Sequence, residues 1–501
     1  MEKKSQTTSK LRRWLILITI SLSILPVTID TTILYVAIPT LTLDLKAGAE
    51  EVLWILDIYP LLMAGLLVVA SALGGRIGYK KASLIGLAVF GAASTIAALS
   101  QTPSQLIAMR ALLAVGGAFL LPATLAIVRS IFQDKKERLL ALGIWTSIAA
   151  GGSAVGPAIG GLILEKWWWG AAFLVNLPLA TSAIILTIIF IPKGEKQPAA
   201  PWALVDVICS IAGMMTIVYG IKGLINTAKN TETSVACFII GATLLVYFIK
   251  RQLTSSTPLI NLRLFNNTKI TVSTLAIFFS LMAMTGFEVI LSQHLQFAHN
   301  LTPLQSGIAI IVLPIGTIIA SPLTPSLAGA IGTRATLIAS LVIISVGFAG
   351  ASYIYQPGFY SFVQWSTSQL SLLCIGVGTG IVITSSSSVI MESAPPNDVS
   401  AAASIESVTL ELSSGLGVAI VGSLSALLFQ QFTNDSSINT FAGHSIGDAM
   451  VNLRESGELE TGRLMNLVRQ ASAFVYKEIA ELLSVTLALI AAIIFCLSTK
   501  N

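Results

Sequence analysis

Long apolar runs separated by short polar loops make up most of the chain. About 20 consecutive apolar residues form an α-helix long enough to cross the hydrocarbon core of a bilayer. Fourteen runs reach or approach this length, so the pattern predicts an all-α membrane protein with 14 transmembrane helices. The predicted spans are residues 14–38, 52–73, 82–99, 105–128, 139–164, 170–192, 203–221, 233–249, 270–292, 305–328, 335–355, 367–391, 401–430 and 482–498.

The composition agrees with a polytopic membrane protein. Of the 501 residues, 54% are hydrophobic and only 11% carry a charge, whereas soluble domains carry about 25% charged residues. The net charge is +5, but no basic patch is interleaved with exposed aromatic residues, which argues against a nucleic-acid partner. The four cysteines have neither CxxC nor metal-ligand spacing, so we expect no metal site.

The distribution of Lys and Arg among the loops predicts the orientation, because loops on the cytoplasmic side carry the excess of positive charge. With the N-terminus inside, the inside loops and tails hold 20 of the 29 basic residues and the outside loops hold eight, Lys222 among them. The remaining base, Arg110, lies within a predicted span. We therefore expect both termini to be cytoplasmic.

Two polar segments divide the spans into groups. The sequence KGEKQPAAP at 193–201 follows the first six spans, and residues 250–269 precede the last six. We predict an N-terminal six-helix bundle at 14–192, two inserted helices at 203–249 and a C-terminal six-helix bundle at 270–498. Internal repeats of this kind place the site of a secondary transporter between its halves. A polar stretch at about 431–481 is expected to be an extracytoplasmic connector or, alternatively, a gate over the outer mouth.

Charged residues inside the spans are the candidates for chemistry. A charge at membrane depth costs several kcal/mol unless it faces protein or water. A carboxyl group removed from water holds its proton more tightly, and the same group attracts a cation once it is ionised. One such group can therefore exchange a proton for a cation. The predicted spans contain only one base, Arg110, but five acids well inside them: Asp30, Asp57, Glu288, Glu406 and Glu411.

Spacing limits how these groups can cooperate. Glu406 and Glu411 are five positions apart, which places them about 140° apart around a helix. One of the two is expected to bind substrate while the other relays protons or faces a neighbouring helix, and the spacing does not decide which. Arg110 is expected either to pair with one of the acids or to lie near the interface with its charge directed to water or to backbone carbonyls.

Small and aromatic residues suggest how the helices move and what lines the cavity. The sequence GGSAVGPAIGG at 151–161 contains Gly156, Pro157, Gly160 and Gly161. Glycines four apart let helices approach closely and proline bends a helix, so this stretch is a candidate rocking interface. Three aromatic residues within spans are candidates to line a cavity and hold a cation by cation–π contact, with core or lipid-facing packing as the alternative: Trp54, Tyr59 and Phe287.

Several of these stretches resemble one family. IDTTILYVAIP at 29–39, GGRIGYKK at 74–81 and GPAIGG at 156–161 are similar to motifs of the major facilitator superfamily, in its fourteen-span drug:proton antiporter branch. The loop motif keeps Arg76, Gly78 and Lys80, but Gly75 stands where the family usually has Asp. Arg110 with Gly116 resembles the fourth-span motif.

The resemblance implies a major facilitator fold and a function. It implies a proton-coupled multidrug efflux antiporter of the bacterial cytoplasmic membrane, which exports lipophilic and quaternary ammonium cations by alternating access. Its partners would be small cationic substrates, protons and the lipid bilayer, with the proton gradient in place of a cofactor, and we expect a monomer. The resemblance assigns Asp57, Glu406 and Glu411 to substrate recognition or proton coupling and Asp30 to the translocation path, while Glu288 has no carried-over role.

Two alternatives compete with this function. The first is a proton-coupled exporter of another small solute, such as an amino acid, a lipid or a neutral metabolite. The second is a membrane-embedded enzyme, for which the chain offers neither an HExxH motif nor a P-loop. A single GxSxG match, GHSIG at 443–447, lacks the strand–turn–helix setting that would make its serine a nucleophile. We therefore predict a transporter and no enzymatic activity.

Overall fold

The computed structural model describes residues 10–192, 204–225, 231–255, 258, 260–354, 362–395, 398–434, 445–455 and 461–498. Helices make up nearly all of this part of the chain, with a 3₁₀ turn at Leu262–Asn266 and a π-helical segment at His294–Ala298. The helices are α1 (Lys10–Leu45), α2 (Ala49–Ile77), α3 (Tyr79–Ala98), α4 (Pro103–Ile131), α5 (Lys135–Leu164), α6 (Ala171–Leu174), α7 (Asn176–Phe190), α8 (Leu204–Ile225), α9 (Thr231–Thr254), α10 (Thr268–Gln293), α11 (Pro303–Ile310), α12 (Val312–Ile331), α13 (Thr333–Ile354), α14 (Phe362–Ser393), α15 (Val399–Asn434), α16 (Ile446–Glu455) and α17 (Thr461–Ser498).

The described residues confirm the predicted all-α membrane class. Thirteen of their helical segments are long and apolar enough to cross a membrane, and the number is 14 when α2, which bends, is counted as one span. Helices suit this environment because they satisfy every backbone hydrogen bond within one segment, where lipid offers no partner.

Short turns with glycine at a positive φ connect helices at two corresponding places. Gly78 (φ 93°) joins α2 to α3, and Gly332 (φ 86°) joins α12 to α13. L-residues with a side chain rarely adopt this backbone conformation, whereas glycine adopts it without strain. Polar caps begin other helices: the Thr102 hydroxyl accepts a hydrogen bond from Gln105 N at 3.3 Å at the start of α4.

The buried apolar side chains form two large cores. One lies among α1–α7, which we call the first helix group, and includes Phe90, Phe132 and Phe173. The other lies among α10–α17, the second helix group, and includes Phe348 and Phe429. Helices α8 and α9 pack closely against each other, at contacts such as Gly220 with Phe238. The division into bundles at 14–192, 203–249 and 270–498 stays a prediction.

The two helix groups meet at the end of the molecule where α1 leads into α2, here called the α1–α2 end. Gly422 of α15 lies against Leu53 of α2, and the Gln296 side chain donates from Nε2 to Val36 O at 3.1 Å. At the opposite end, called the α2–α3 end, α5 has exposed polar residues, and a methyl group on Gly143 would meet no atom within 4 Å. The groups are therefore packed together at the α1–α2 end.

The stretch at 431–481, expected to be a polar connector, contains helices wherever the structure describes it. Helix α15 continues to Asn434, α16 follows, and α17 begins at Thr461, while 435–444 and 456–460 lie outside the described residues. Spacings of three and four bury one face of α17 in the second core, with Val468, Ala471, Val475 and Ile479 on that face. Ser445, the serine of the GxSxG match, caps α16 by accepting from Asp448 N at 3.1 Å.

Candidate functional site

Asp30 and Arg110 form the centre of a buried polar cluster in the first helix group. Arg110 is 1% exposed; its Nη1 donates to the Asp30 carboxylate, and its Nε donates to Ile55 O at 3.1 Å. Asn176 donates from Nδ2 to Asp30 Oδ1 at 2.9 Å and lies 3.0 Å from Ser94 Oγ. These bonds join α1, α2, α3, α4 and α7, so Asp30 and Arg110 are paired within a framework of five helices.

Arg110 thus pairs with one of the acids, as one expectation had it, and also bonds to a backbone carbonyl, which was part of the other. Sequence reasoning missed Asn176, which opens α7 with its side chain fully buried. The available signal was a polar amide at the start of an apolar helix, a residue that requires buried partners.

Two tyrosines connect this cluster to the acids of the second helix group. Tyr59 is 1% exposed, and its ring centroid lies 4.6 Å from the Arg110 guanidinium carbon. Glu411 of α15 lies within electrostatic range of the Tyr35 and Tyr59 side chains, and Glu288 of α10 lies within the same range of Tyr35. The candidate acids Glu288 and Glu411 therefore approach the Arg110 cluster where the two groups meet.

Glu406 faces a different neighbour from Glu411. Its side chain forms a hydrogen bond with Ser387 of α14, which is consistent with the separation of about 140° between the two acids around one helix. Among the residues that the structure describes, no salt bridge includes Glu288, Glu406 or Glu411. The second helix group thus contributes three carboxyl groups without a basic partner in the described chain.

Asp57 forms a buried ion pair with Lys222. Its Oδ2 lies 2.7 Å from Lys222 Nζ, with side-chain exposures of 0% and 4%. Lys222 was predicted in an outside loop, and this prediction was wrong, because α8 continues to Ile225 and carries the lysine in its last turn. The Lys222 ammonium also lies 3.8 Å from the centroid of the Trp54 ring.

The candidate cavity aromatics have three different surroundings. Trp54 lies beside Lys222 and, at 6.5 Å between ring centroids, beside Tyr219 of α8. Tyr59 covers the Arg110 guanidinium. Phe287 is fully buried in the second core, with its ring centroid 5.0 Å from Phe348 and 5.2 Å from Tyr476. Two of the three thus contact a cationic side chain.

The glycine motif of α5 packs on two helices at once. A methyl group on Gly160 would lie 2.7 Å from Ile33 Cγ1 of α1, and one on Gly156 would collide with Thr32 Oγ1 on the same helix. On another face, a methyl group on Gly161 would lie 2.5 Å from Leu304 Cα of α11. Pro157, the fourth motif residue, approaches Gly307 of α11 with its carbonyl group. The motif therefore joins α1 to α5 and the first helix group to the second.

The motif between α2 and α3 also has a described role in packing. Arg76 lies in the last turn of α2, and Gly78 makes the turn itself. Lys80 donates from Nζ to Ile188 O at 2.8 Å and to Ile191 O at 2.6 Å, so its charge lies at the C-terminal end of α7. A cation there stabilises the carbonyl groups that the helix leaves unsatisfied.

Comparison with known proteins identifies the family. A family model described as Major Facilitator Superfamily matches residues 20–286 and 273–433. The chain belongs to the major facilitator superfamily. As a facilitator, it is a transporter and not an enzyme, as the sequence predicted.

The relatives of this facilitator include efflux proteins. It is 37% identical over 413 residues to the methyl viologen resistance protein SmvA of Salmonella typhimurium, with 82% of each chain covered. It is 32% identical over 420 residues to the multidrug efflux pump LfrA of Mycolicibacterium smegmatis, covering 84% of this chain and 82% of LfrA.

Solved structures share the fold of this facilitator. A bacterial homologue of the human lysosomal transporter Spinster, solved in an inward-facing and unoccupied conformation, aligns with a TM-score of 0.67. The alignment covers 97% of this chain and 98% of that one, at 14% sequence identity. The predicted major facilitator fold is thereby confirmed.

Proposed function

We propose that this facilitator is a proton-coupled multidrug exporter of lipophilic and quaternary ammonium cations in the bacterial cytoplasmic membrane. Its similarity to proteins named for methyl viologen resistance and multidrug efflux supports export of such compounds. Methyl viologen itself is a quaternary dication. The protein would act as a monomer, with the proton gradient as its energy source.

The observation that carries this proposal is the set of acids without a basic partner near the junction of the helix groups. Glu411, Glu288 and Arg110 all lie within electrostatic range of Tyr35, and no described salt bridge includes either glutamate. A carboxylate in a water-poor site binds a cation strongly and takes up a proton when the cation leaves. The same group can therefore carry a proton in one direction and a cation in the other.

The surrounding residues would serve distinct parts of this exchange. Bonds of Asp30 and Arg110 to each other, to Ile55 and to Asn176 join four helices of the first group, and the Tyr59 ring lies over Arg110. Glu406, turned toward α14, would pass protons rather than bind the same ligand atom as Glu411. Asp57, buried beside Trp54 on α2, would take part in recognising the substrate.

Packing at one end of the molecule suggests the stage of the transport cycle. The helix groups are in contact at the α1–α2 end, which the distribution of basic residues predicts to face outward. The conformation would then be inward-facing. Rocking of α5 against α11, together with the turn at Gly78 beside Arg76, would open the other side.

A transport assay on the purified protein tests the proposal. Proteoliposomes containing the protein should take up ethidium, a quaternary ammonium dye, when a pH gradient is imposed, and methyl viologen should compete. Each transport event should release protons in the opposite direction. Ethidium uptake at the same rate with and without the pH gradient would refute proton coupling. Competition by riboflavin, but not by methyl viologen, would favour export of a neutral metabolite.

A further inference from the structure

Helix α8 is positioned to take part in transport, although it lies outside both cores. Val218 of α8 packs with Leu61 of α2 and Ala419 of α15 in a small separate cluster. Helices α2 and α15 belong to different groups, and Gly415 of α15 lies against Leu61 at the same place. Any motion that separates the groups at the α1–α2 end therefore changes the surroundings of α8.

At this junction, Asp57 and Trp54 make the two halves of a cation site. Asp57 supplies a carboxylate that is 0% exposed, and Trp54, one turn away on α2, supplies an aromatic face. Carboxylates and indole rings are the groups that proteins use to hold organic cations away from water. In this structure the cation between them is the ammonium group of Lys222, 2.7 Å from Asp57 Oδ2 and 3.8 Å from the Trp54 ring centroid.

We propose that Lys222 is a tethered cation that occupies this site in the absence of substrate and that a transported cation must displace it. The inference rests on the proposed function, because it needs a cationic substrate. It explains why a lysine is buried in an inserted helix, where a charge without a partner would be very unfavourable. It also gives α8 and α9 a role, since they bring the competing charge to α2.

The competition has a physical advantage for an exporter. While no substrate is bound, Lys222 gives Asp57 a counter-charge, so the empty carrier does not bury an isolated anion. The four-carbon stem of lysine lets the ammonium withdraw without moving the helix. When the Lys222 ammonium leaves, Asp57 loses its ion pair and Trp54 loses its cation–π contact. A positively charged ligand restores both interactions, and a neutral molecule does not.

Binding measurements with ethidium as the probe test this inference. Lys222→Gln should lower the ethidium Kd by roughly tenfold, because the lysine ammonium no longer competes with ethidium for the site. Lys250→Gln, which changes an exposed lysine of α9, should leave the Kd unchanged. The gain must disappear in the Asp57→Asn/Lys222→Gln double variant, since Asp57 is the group that Lys222 releases.

A second measurement uses the wild-type protein and so does not depend on folding of a variant. Saturating ethidium should increase the reaction of Lys222 with a water-soluble acetylating reagent, followed by peptide mass spectrometry. Unchanged labelling, or an affinity gain that survives in the double variant, overturns the inference while the proposed function stands. Wild-type protein that neither binds nor transports ethidium overturns the proposed function itself.

Discussion

Gly161 of α5 and Leu304 of α11 are in direct backbone contact. A methyl group on Gly161 would lie 2.5 Å from Leu304 Cα and 2.6 Å from Pro303 O. The contact is supported from the other helix, because a methyl group on Gly307 would collide with Pro157 O. Small residues permit this approach between helices of different groups. Closure of the α1–α2 end therefore depends on these two glycines.

We predict that Gly161→Ala disfavours the closed α1–α2 end by about 1–3 kcal/mol, the usual effect of overpacking a tight contact. Ethidium transport should fall because the carrier no longer completes its cycle. The measurement is maleimide labelling of Ser306→Cys, placed beside Gly307 at a fully buried position, with the native cysteines replaced. Labelling should be faster in the Gly161→Ala background.

Gly151→Ala is the matched control for this prediction. Gly151 belongs to the same α5 motif, yet a methyl group there would meet nothing within 4 Å. Alanine should even favour the helix slightly. Equal effects of the two substitutions on labelling would show that backbone flexibility, and not the contact with α11, controls closure.

The Asp30–Arg110 pair leads to a prediction about stability. Arg110→Gln leaves a fully buried carboxylate without its cation, which should lower the free energy of unfolding by about 3–5 kcal/mol. Asp30→Asn/Arg110→Gln should recover part of this loss, because neither charge remains. Thermal unfolding in detergent, followed by tryptophan fluorescence, gives the comparison. A double variant as unstable as the single one would mean that the bonds to Ile55 and Asn176 matter more than the charge pair.

Arg13→Gln serves as the control for loss of an arginine. Arg13 Nη1 lies 2.8 Å from Glu137 Oε2, but the two side chains are 25% and 28% exposed. Ion pairs accessible to water contribute about 0–1 kcal/mol. The loss in free energy of unfolding should therefore be several times smaller for Arg13→Gln than for Arg110→Gln.

Most of the fold follows from the sequence because the bilayer leaves few choices. An apolar run of the right length has to form a helix when lipid offers its backbone no hydrogen-bond partner. The same reasoning fails where apolar and charged residues alternate. The beginning of α17 carries charged residues such as Arg469 and Lys477, so no uninterrupted apolar run marks its buried face at Val468 and Val475.

The candidate site was less predictable, since partners distant in sequence leave no local pattern. The acids could be found because charges in apolar runs are rare, but nothing nearby indicates that Asp30 pairs with Arg110 or that Asn176 joins them. Lys222 was misplaced for a related reason. A lysine at the end of an apolar run looks like a loop residue until Asp57 is known to lie beside it.

A histidine pair near the end of α10 should make stability depend on pH. His299 Nε2 lies 3.0 Å from His294 Nε2, and His294 Nδ1 lies 2.8 Å from Ser472 Oγ. The predicted span 270–292 ends before His294, but the helix continues into a π-helical segment in which His294 is buried. Burial, and then the nearby Arg469 charge, lower the pKa of His299 from 6.5 to about 4.

The direction of the effect follows from this pKa. The unfolded chain takes up a proton at this position near the ordinary pKa of 6.5, and the folded chain only near 4. Unfolding is therefore accompanied by proton uptake. The contribution of His299 to the free energy of unfolding is complete above pH 6.5 and is lost as the pH falls toward 4. His299→Gln should reduce the fall in Tm between about pH 7.5 and about pH 5. An identical fall in both proteins would contradict the prediction.

Substitution of Glu411 and of Glu406 should separate ethidium binding from proton coupling. Glu411→Gln keeps the shape of the side chain but removes the charge beside Tyr35 and Tyr59, so ethidium affinity should fall by roughly tenfold, equivalent to about 1.4 kcal/mol. Glu406→Gln, which faces Ser387, should bind ethidium normally and release fewer protons per ethidium transported. Both signals are measured in the same proteoliposomes, with pyranine reporting internal pH.

Glu392→Gln controls for the removal of one negative charge from the second helix group, since Glu392 is exposed at the end of α14. It should change neither signal. If Glu411→Gln behaves like this control, the Glu411 carboxylate does not bind the cation. Within the second helix group, the next candidate would be Glu288, the other acid in electrostatic range of Tyr35, and Glu288→Gln in the same assay would test it. Proton release that persists at full stoichiometry in the Glu288→Gln, Glu406→Gln and Glu411→Gln variants would exclude these acids as the coupling groups.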